Sequence, residues 1–280
     1  MSGILYLCAT PIGNLKDITL RVLETLESVD IIAAEDTRNT LKLLNHYDIK
    51  TPMTSYHQHN MSKKGEYLIE KLKSGQNIAL VSDAGMPAIS DPGSDMARLC
   101  AENNISVTIL PGASAGISAL ALSGMDARRF VFEGFLPLEK KERRIVLENY
   151  KNETRTTLFY EAPHRLTDTL EALLDEGGDR NAATVRELTK KFEEVKYGTL
   201  SELLAFYKEN QPKGEFVLVV SGYDFQKLKQ EKIDEWEKLT IEEHMEKYVS
   251  EGKNEKDAMK LVAKDRGVTK REIYAYLKKD

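Results

Sequence analysis

Three times within its first 116 residues the chain runs a short apolar, β-branched segment straight into a bend of glycine, proline and small residues. Gly3–Ala9 ends in Thr10-Pro11-Ile12-Gly13-Asn14-Leu15, Ile78–Val81 in Ser82-Asp83-Ala84-Gly85-Met86-Pro87, and Ser106–Leu110 in Pro111-Gly112-Ala113-Ser114-Ala115-Gly116. Apolar runs of this length read as buried strands, and further strands are expected at Val29–Ala34 and Met53–Tyr56. Helical spacing predicts helices at Ile18–Ser28, Leu41–His46, Lys63–Ser74 and Ser94–Asn103. Strand and helix in alternation mean a parallel-rich sheet. The strands of such a sheet end at one edge, so the three bends must gather there, where α/β sheets bind ligands. Asp91-Pro92-Gly93 adds an N-cap and a first-turn proline to the helix that follows. Bare backbone and a helix start present free N–H groups, which suits a polar or anionic small molecule. Each bend alone is equally a tight βα turn with glycine and proline for backbone reasons. Neither a Gly-x-x-x-x-Gly-Lys-Ser/Thr cradle nor a Gly-x-Gly-x-x-Gly turn follows a strand, which disfavours an NTPase or a Rossmann dehydrogenase.

From Phe130 the pattern changes. An aromatic-rich run, Phe130–Pro137, precedes a charged helix at Glu139–Tyr150. Strands at Thr156–Tyr160, Ala182–Arg186 and Phe216–Val220, with helices at Leu166–Glu176 and Ser201–Asn210, predict a second α/β domain with some antiparallel strands. Lys227–Trp236 is charged and reads as a linker. Thr240–Asp280 is expected to be helical, with capping-box spacing at Thr240/Glu243 and Thr269/Glu272. Gly267 separates helices expected at Asp257–Arg266 and Lys270–Lys278, in the manner of a helix-turn-helix or of an ordinary helical hairpin. The expected organisation is an α/β domain over 1–112, a second over 113–225 and a helical appendage over 237–280.

The net charge of −5 argues against a surface coated for nucleic acid, yet Glu255–Asp280 carries eight basic and five acidic residues. That local excess fits either a polyanion contact or a solvated helix face. The first residues show no basic leader or cleavage site, no apolar run reaches membrane-spanning length, and Cys8 and Cys100 sit in apolar contexts. A cytoplasmic chain with two free thiols and no membrane partner is expected.

The motifs Thr10–Leu15, Ala34-Glu35-Asp36-Thr37-Arg38, Val81–Pro87, Asp91–Gly93 and Glu133-Gly134-Phe135-Leu136-Pro137 occur in that order. Phe159-Tyr160-Glu161, His164-Arg165 and Arg186-Glu187-Leu188-Thr189-Lys190 follow. Together they resemble the 16S ribosomal RNA cytidine 2′-O-methyltransferases of the tetrapyrrole methylase superfamily, over nearly the whole chain. Met86 stands where that family usually has Thr, and Ala113 where Pro is usual. The resemblance implies two α/β domains with S-adenosylmethionine between them, a homodimer, and 16S ribosomal RNA of the small ribosomal subunit as substrate. It also implies cofactor contacts from Pro11, Asp83, Ala84, Gly85, Met86, Ile89, Ser114, Ala115, Glu161 and Leu188. A relative acting on a tetrapyrrole carbon or on a modified histidine of a protein is the alternative, and a non-catalytic RNA-binding factor of the same fold a third.

A ribose hydroxyl is weakly acidic, so a base or an alkoxide-stabilising cation would help its attack. Asp36 is a candidate base oriented by Arg38, or the two are simply an ion pair. Lys190 is a candidate for the oxyanion or for a phosphate, or is an ordinary surface lysine. His57, beside His59, suits a flipped base; lacking Cys or carboxylate partners, the pair is rejected as a zinc site. His164 and Arg165 form a candidate phosphate-facing pair or a mere helix start. Lys270 and Arg271 are candidates for clamping RNA backbone.

Overall fold

The computed structural model describes residues 2–89, 91 and 93–278. Its first sheet holds β1 (Leu5–Cys8), β2 (Ile31–Ala34), β3 (Met53–Ser55), β4 (Ile78–Val81) and β5 (Val107–Leu110), all parallel in the order β3-β2-β4-β1-β5. β2 and β4 are buried along their whole length, as expected of strands covered on both faces. The intervening helices are α1 (Leu20–Ser28), α2 (Thr37–His46), α3 (Met61–Lys73) and α4 (Gly93–Glu102). α2 begins four residues before the expected Leu41, because Asp36 caps it by accepting from the Arg38 amide. Asp91 accepts from the Gly93 amide at 2.7 Å, as a cap should, while Pro92 lies outside the described residues.

After α5 (Ala115–Ser123) comes the second sheet: β6 (Phe130–Phe135), β7 (Thr156–Glu161), β8 (Asn181–Arg186), β9 (Glu194–Thr199) and β10 (Phe216–Val220), ordered β6-β7-β10-β8-β9. Only the β6–β7 pair is parallel. One face packs on α6 (Lys140–Lys151), α7 (Leu166–Gly177) and α8 (Leu200–Glu209) through Tyr150, Phe159, Leu170 and Leu218. The other packs on α5 through Ala119, Leu120, Leu158 and Val217. β9 adds a strand to those expected from the sequence. It is a half-exposed edge strand whose charges (Glu194, Lys196) break the apolar run that marks a strand.

Lys227–Trp236 is not a linker but part of α9 (Phe225–Glu237), capped by Asp224. Phe225, Leu228, Ile233 and Trp236 lie at helical spacing on one side of α9, but no residue of the helix is buried and the charged residues between them mask that stripe in the sequence. α10 (Ile241–Ser250), α11 (Glu255–Asp265) and α12 (Lys270–Leu277) close a small core around Met245, Val262 and Ile273. Both expected capping boxes are formed. Among the described residues no helix is long and apolar enough to cross a membrane. Cys8 and Cys100 are buried free thiols, which burial pushes up to about 12 and about 11.

Candidate active site

The three small-residue bends meet, and Gly85 is where they do so. Thr10 and Gly85 exchange backbone hydrogen bonds of 2.9 and 3.0 Å, joining the bend after β1 to the bend after β4. Gly85 sits at φ +82°, and a Cβ there would lie 3.2 Å from Ile12 Cγ2 and 3.3 Å from the Ala113 carbonyl. Residue 85 therefore touches the other two bends at once, in a conformation that only glycine takes at low cost. The buried Ser82 hydroxyl and the Thr10 hydroxyl, which donates to the Ser82 carbonyl at 3.2 Å, pin the junction from below.

Above Gly85 opens a cleft of ≈ 660 Å³ between the two sheets, a size suited to a small ligand. From the first sheet it is lined by Asp83, Ala84, Gly85, Met86 and Ile89; Ser114 and Ala115 of the third bend join them, and Glu161 and Leu188 enter from the second. Nine of the ten expected cofactor residues thus line one cleft. The exception is Pro11, whose place in the lining is taken by Ile12. The seam closes tightly below: a Cβ on Gly13 would come 2.5 Å from Lys190 Cγ and 3.0 Å from the Leu188 carbonyl. That bend presses directly on the loop after β8, where Glu187 (φ +50°) and Thr189 (φ +65°) hold left-handed conformations unusual for such residues.

The acidic groups divide by environment. Asp36 is not part of the lining. Its carboxylate receives Arg38 in a two-pronged ion pair, with Nη2 to Oδ2 at 2.6 Å, and Arg38 holds it down at about 2. Such a carboxylate is a poor base, and Arg38, 86% exposed, is its partner rather than a cleft cation. What Asp36 does contribute is its amide, which donates to Asp83 Oδ1 at 2.9 Å and ties the end of β2 to the bend after β4. Its neighbour Glu35, not singled out from the sequence, does line the cleft. Burial, then repulsion from Asp83 and Asp91, raises Glu35 above the ordinary carboxylate range. The missed signal was positional, since Glu35 is the first residue past a buried strand. Asp91 also lines the cleft; burial raises it, Oδ1 accepts from the Ala88 and Gly93 amides, and Oδ2 is buried with no partner among the described residues.

Lys190 lines the cleft, its ammonium held at 2.9 Å from Glu187 Oε1 and 2.8 Å from Glu215 Oε2. Burial alone lowers its pKa, but the hydrogen bonds it donates to Glu215 and Glu187 outweigh that and raise it above the ordinary lysine value. Glu161 is buried at the base, its carboxylate accepting from the Thr169 hydroxyl at 2.6 Å and from the Ala162 amide at 2.9 Å. It reaches the cleft as a braced wall. The expected His164–Arg165 pair splits. His164 is exposed and lines the cleft, whereas Arg165 turns inward to donate to the Leu136 carbonyl at 2.6 Å. His57 lies outside the lining, in a turn where its amide donates to Asn60 Oδ1. Lys270 and Arg271 open α12 in the separate helical appendage.

The sequence profile of the Tetrapyrrole (Corrin/Porphyrin) Methylases matches residues 5–204. A Bacillus subtilis protein named ribosomal RNA small subunit methyltransferase I is 52% identical over 272 residues, covering 97% of this chain and 93% of its own. A protein of that name from Synechocystis sp. is 46% identical over 273 residues, 97% of this chain and 96% of its own. Among solved structures, a diphthine synthase superposes with a TM-score of 0.63 at 19% identity, over 79% of this chain and 90% of that one. A uroporphyrin-III-C-methyltransferase from Thermus thermophilus does so with a TM-score of 0.56 at 21% identity, over 78% and 94%. At such identities the likeness is one of fold. The chain belongs to the ribosomal RNA small subunit methyltransferase I family, within the tetrapyrrole methylases.

Proposed function

We propose that this chain methylates the 2′-oxygen of a cytidine ribose in 16S ribosomal RNA of the small ribosomal subunit, using S-adenosylmethionine. The observation that carries the reading is the convergence of three side-chain-poor bends on Gly85 beneath a cleft between two sheets. It occurs in a chain whose full-length relatives bear that methyltransferase name. The residues fit the methyl donor. Backbone groups of Asp83–Met86 and Ser114–Ala115 suit its polar ends, and Asp91 Oδ2, buried with no partner among the described residues, is a further acceptor at the cleft. Ile89 and Leu188 supply apolar cover.

S-adenosylmethionine, when bound, supplies a methyl group on a sulfonium, already a good electrophile. The chain's own residues chiefly position the acceptor and exclude water. Glu35 is the proposed base, taking the proton of the attacking hydroxyl at its carboxylate; burial keeps it a stronger base than Asp36. Asp36 and Arg38 shape the loop that presents it. Lys190, its charge spent on two carboxylates, supports the loop after β8 and keeps a third N–H to donate to the acceptor oxygen. His164 faces the incoming RNA, while Lys270 and Arg271, with His57 outside the cleft, contact RNA backbone or unpaired bases in this reading. Division into units at 112/113 and near residue 237 follows, the appendage acting as an RNA clamp.

The same reading makes the protein a cytoplasmic homodimer. In support, edge strand β5 and the outer side of α5 leave Val107, Ile109, Ile117 and Leu122 exposed, an apolar surface that a second copy would cover. Sedimentation at twice the chain mass, lost in Ile117→Lys, is the expected result; a monomeric wild type would contradict it. The substrate reading is tested by tritiated methyl transfer from S-adenosylmethionine to small ribosomal subunits, with the labelled nucleotide mapped. One labelled cytidine ribose is expected, and label on a base or on no RNA would reject the reading.

A further inference from the structure

Strand β6 is broken where it reaches the cleft. Its register on β7 pairs Phe132 with Leu158, then Gly134 with Phe159 and Phe135 with Tyr160, so Glu133 is an extra residue. This is a β-bulge, a device that re-aims the side chains beyond it. In an unbroken strand Phe132 and Phe135, three positions apart, would point to opposite faces. With the bulge they share one face, and both rings meet Tyr160 edge-on, at centroid distances of 5.1 and 5.7 Å. Gly134 takes the turn at φ +70°, a conformation that resists a side chain. The same shift sends Leu136 to the opposite face, where it is buried in the core under α6 and α7.

The two phenylalanines then differ in use. Phe132 packs against the apolar cluster around Leu158 and Val219. Phe135 remains 53% exposed and lines the cleft that also holds His164. Its support is rigid, because the Tyr160 hydroxyl accepts a hydrogen bond from the Gly116 amide at 3.1 Å, fixing the ring to the first turn of α5. A bulge, a left-handed glycine and a braced tyrosine thus hold one large aromatic ring half in solvent beside the proposed reaction centre. Every nucleobase has a π-face that such a ring can stack, and a base so held fixes the position of its own ribose.

We propose that Phe135 is the platform on which the unpaired base of the acceptor nucleotide stacks, holding it so that the ribose faces the methyl donor. The proposal rests on the RNA-methyltransferase reading above and names a positioning residue for it. The platform recognises an aromatic face, so it sets the pose of the nucleotide and leaves the choice of base to other groups.

The test compares wild type, Phe135→Leu and Phe135→Trp in methylation of small ribosomal subunits, with S-adenosylhomocysteine affinity measured by calorimetry and thermal unfolding followed in parallel. Phe135→Leu is expected to keep donor-product affinity within about twofold while the KM for subunits rises about tenfold or more. Phe135→Trp, still able to stack, is expected to restore most of the loss. A matching loss of S-adenosylhomocysteine affinity would move the ring to the donor's adenine and overturn the proposal, as would an unchanged KM. A wild type that binds S-adenosylhomocysteine but methylates no subunit would instead bring down the substrate reading on which the proposal stands.

Discussion

Thr10 and Gly85, 75 positions apart in the chain, exchange a reciprocal pair of backbone hydrogen bonds at 2.9 and 3.0 Å. This bridge fixes the first bend to the second in the parallel sheet, and the Ala113 carbonyl beside Gly85 brings in the third. In the proposed reading the methyl donor seated on these bends is held by backbone, and its affinity depends on Gly85 having no side chain.

Gly85→Ala therefore combines two penalties. A left-handed backbone costs an L-residue about 1–2 kcal/mol, and the new methyl would crowd Ile12 and the Ala113 carbonyl. A stability loss of that order in denaturant unfolding is expected, together with a loss of S-adenosylhomocysteine affinity larger than about tenfold in calorimetry. Unchanged affinity would show that the junction is not the donor seat.

Glu35→Gln separates catalysis from stability. A carboxyl whose folded pKa is raised above its unfolded one stabilises the protein below the unfolded value, and that contribution is lost as pH rises through the folded value. At neutral pH the neutral amide should raise the melting temperature. Activity should move the other way, with kcat falling by about 10²–10⁴ and the acidic limb of the wild-type pH–rate profile disappearing. Retention of that limb in Glu35→Gln would assign the proton to another group.

The helical appendage should respond to acid through His244. This buried ring stacks on Trp236 at 4.1 Å, and its Nδ1 accepts from Arg266 Nε at 3.2 Å. Burial first, then the Arg266 charge and more weakly Lys247, lower its pKa; Asp265, 3.4 Å from Nε2 and bonded to the Tyr248 hydroxyl, opposes them. Stability from the neutral ring is therefore full above the unfolded pKa and is lost as pH falls from about 6.5 through the lower folded value. Trp236 is the one tryptophan in the chain, so its fluorescence should titrate below pH 6.5 and stop doing so in His244→Phe. A flat wild-type trace would contradict this.

Lys270 and Arg271 are expected to act through phosphate. Replacing both by Ala should weaken RNA binding uniformly across sequences and lower the salt slope of log K by roughly 0.7–0.9 per lost contact. Donor-product affinity should not change. An unaltered salt slope would free the appendage of an RNA role.

What could be read from the residues differs between the halves of the site. Ile78–Val81 forms a strand with the expected bounds, and the gathering of the three bends follows from parallel alternation alone. Composition could not show which side of a loop faces the cleft. Asp36 and Glu35 are neighbours, and only the cap of α2 decides that Asp36 turns to Arg38 while Glu35 faces the ligand space. His164 and Arg165 divide through a contact distant in sequence, since Arg165 is drawn to the Leu136 carbonyl from 29 positions away. β9 lacks a continuous apolar run, and the apolar stripe of α9 (Phe225, Leu228, Ile233, Trp236) is masked by the lysines and acids between its members. The bulge at Glu133 leaves no trace in composition beyond Gly134, and only strand register reveals it.

The account stands on the bends being the seat of the methyl donor, and a crystal structure with S-adenosylhomocysteine tests that directly. The predicted result places its polar atoms within hydrogen-bonding reach of the Asp83–Met86 and Ser114–Ala115 backbone, with Leu188 against its apolar surface. Ligand density elsewhere on the chain, with those backbone groups untouched, would contradict it.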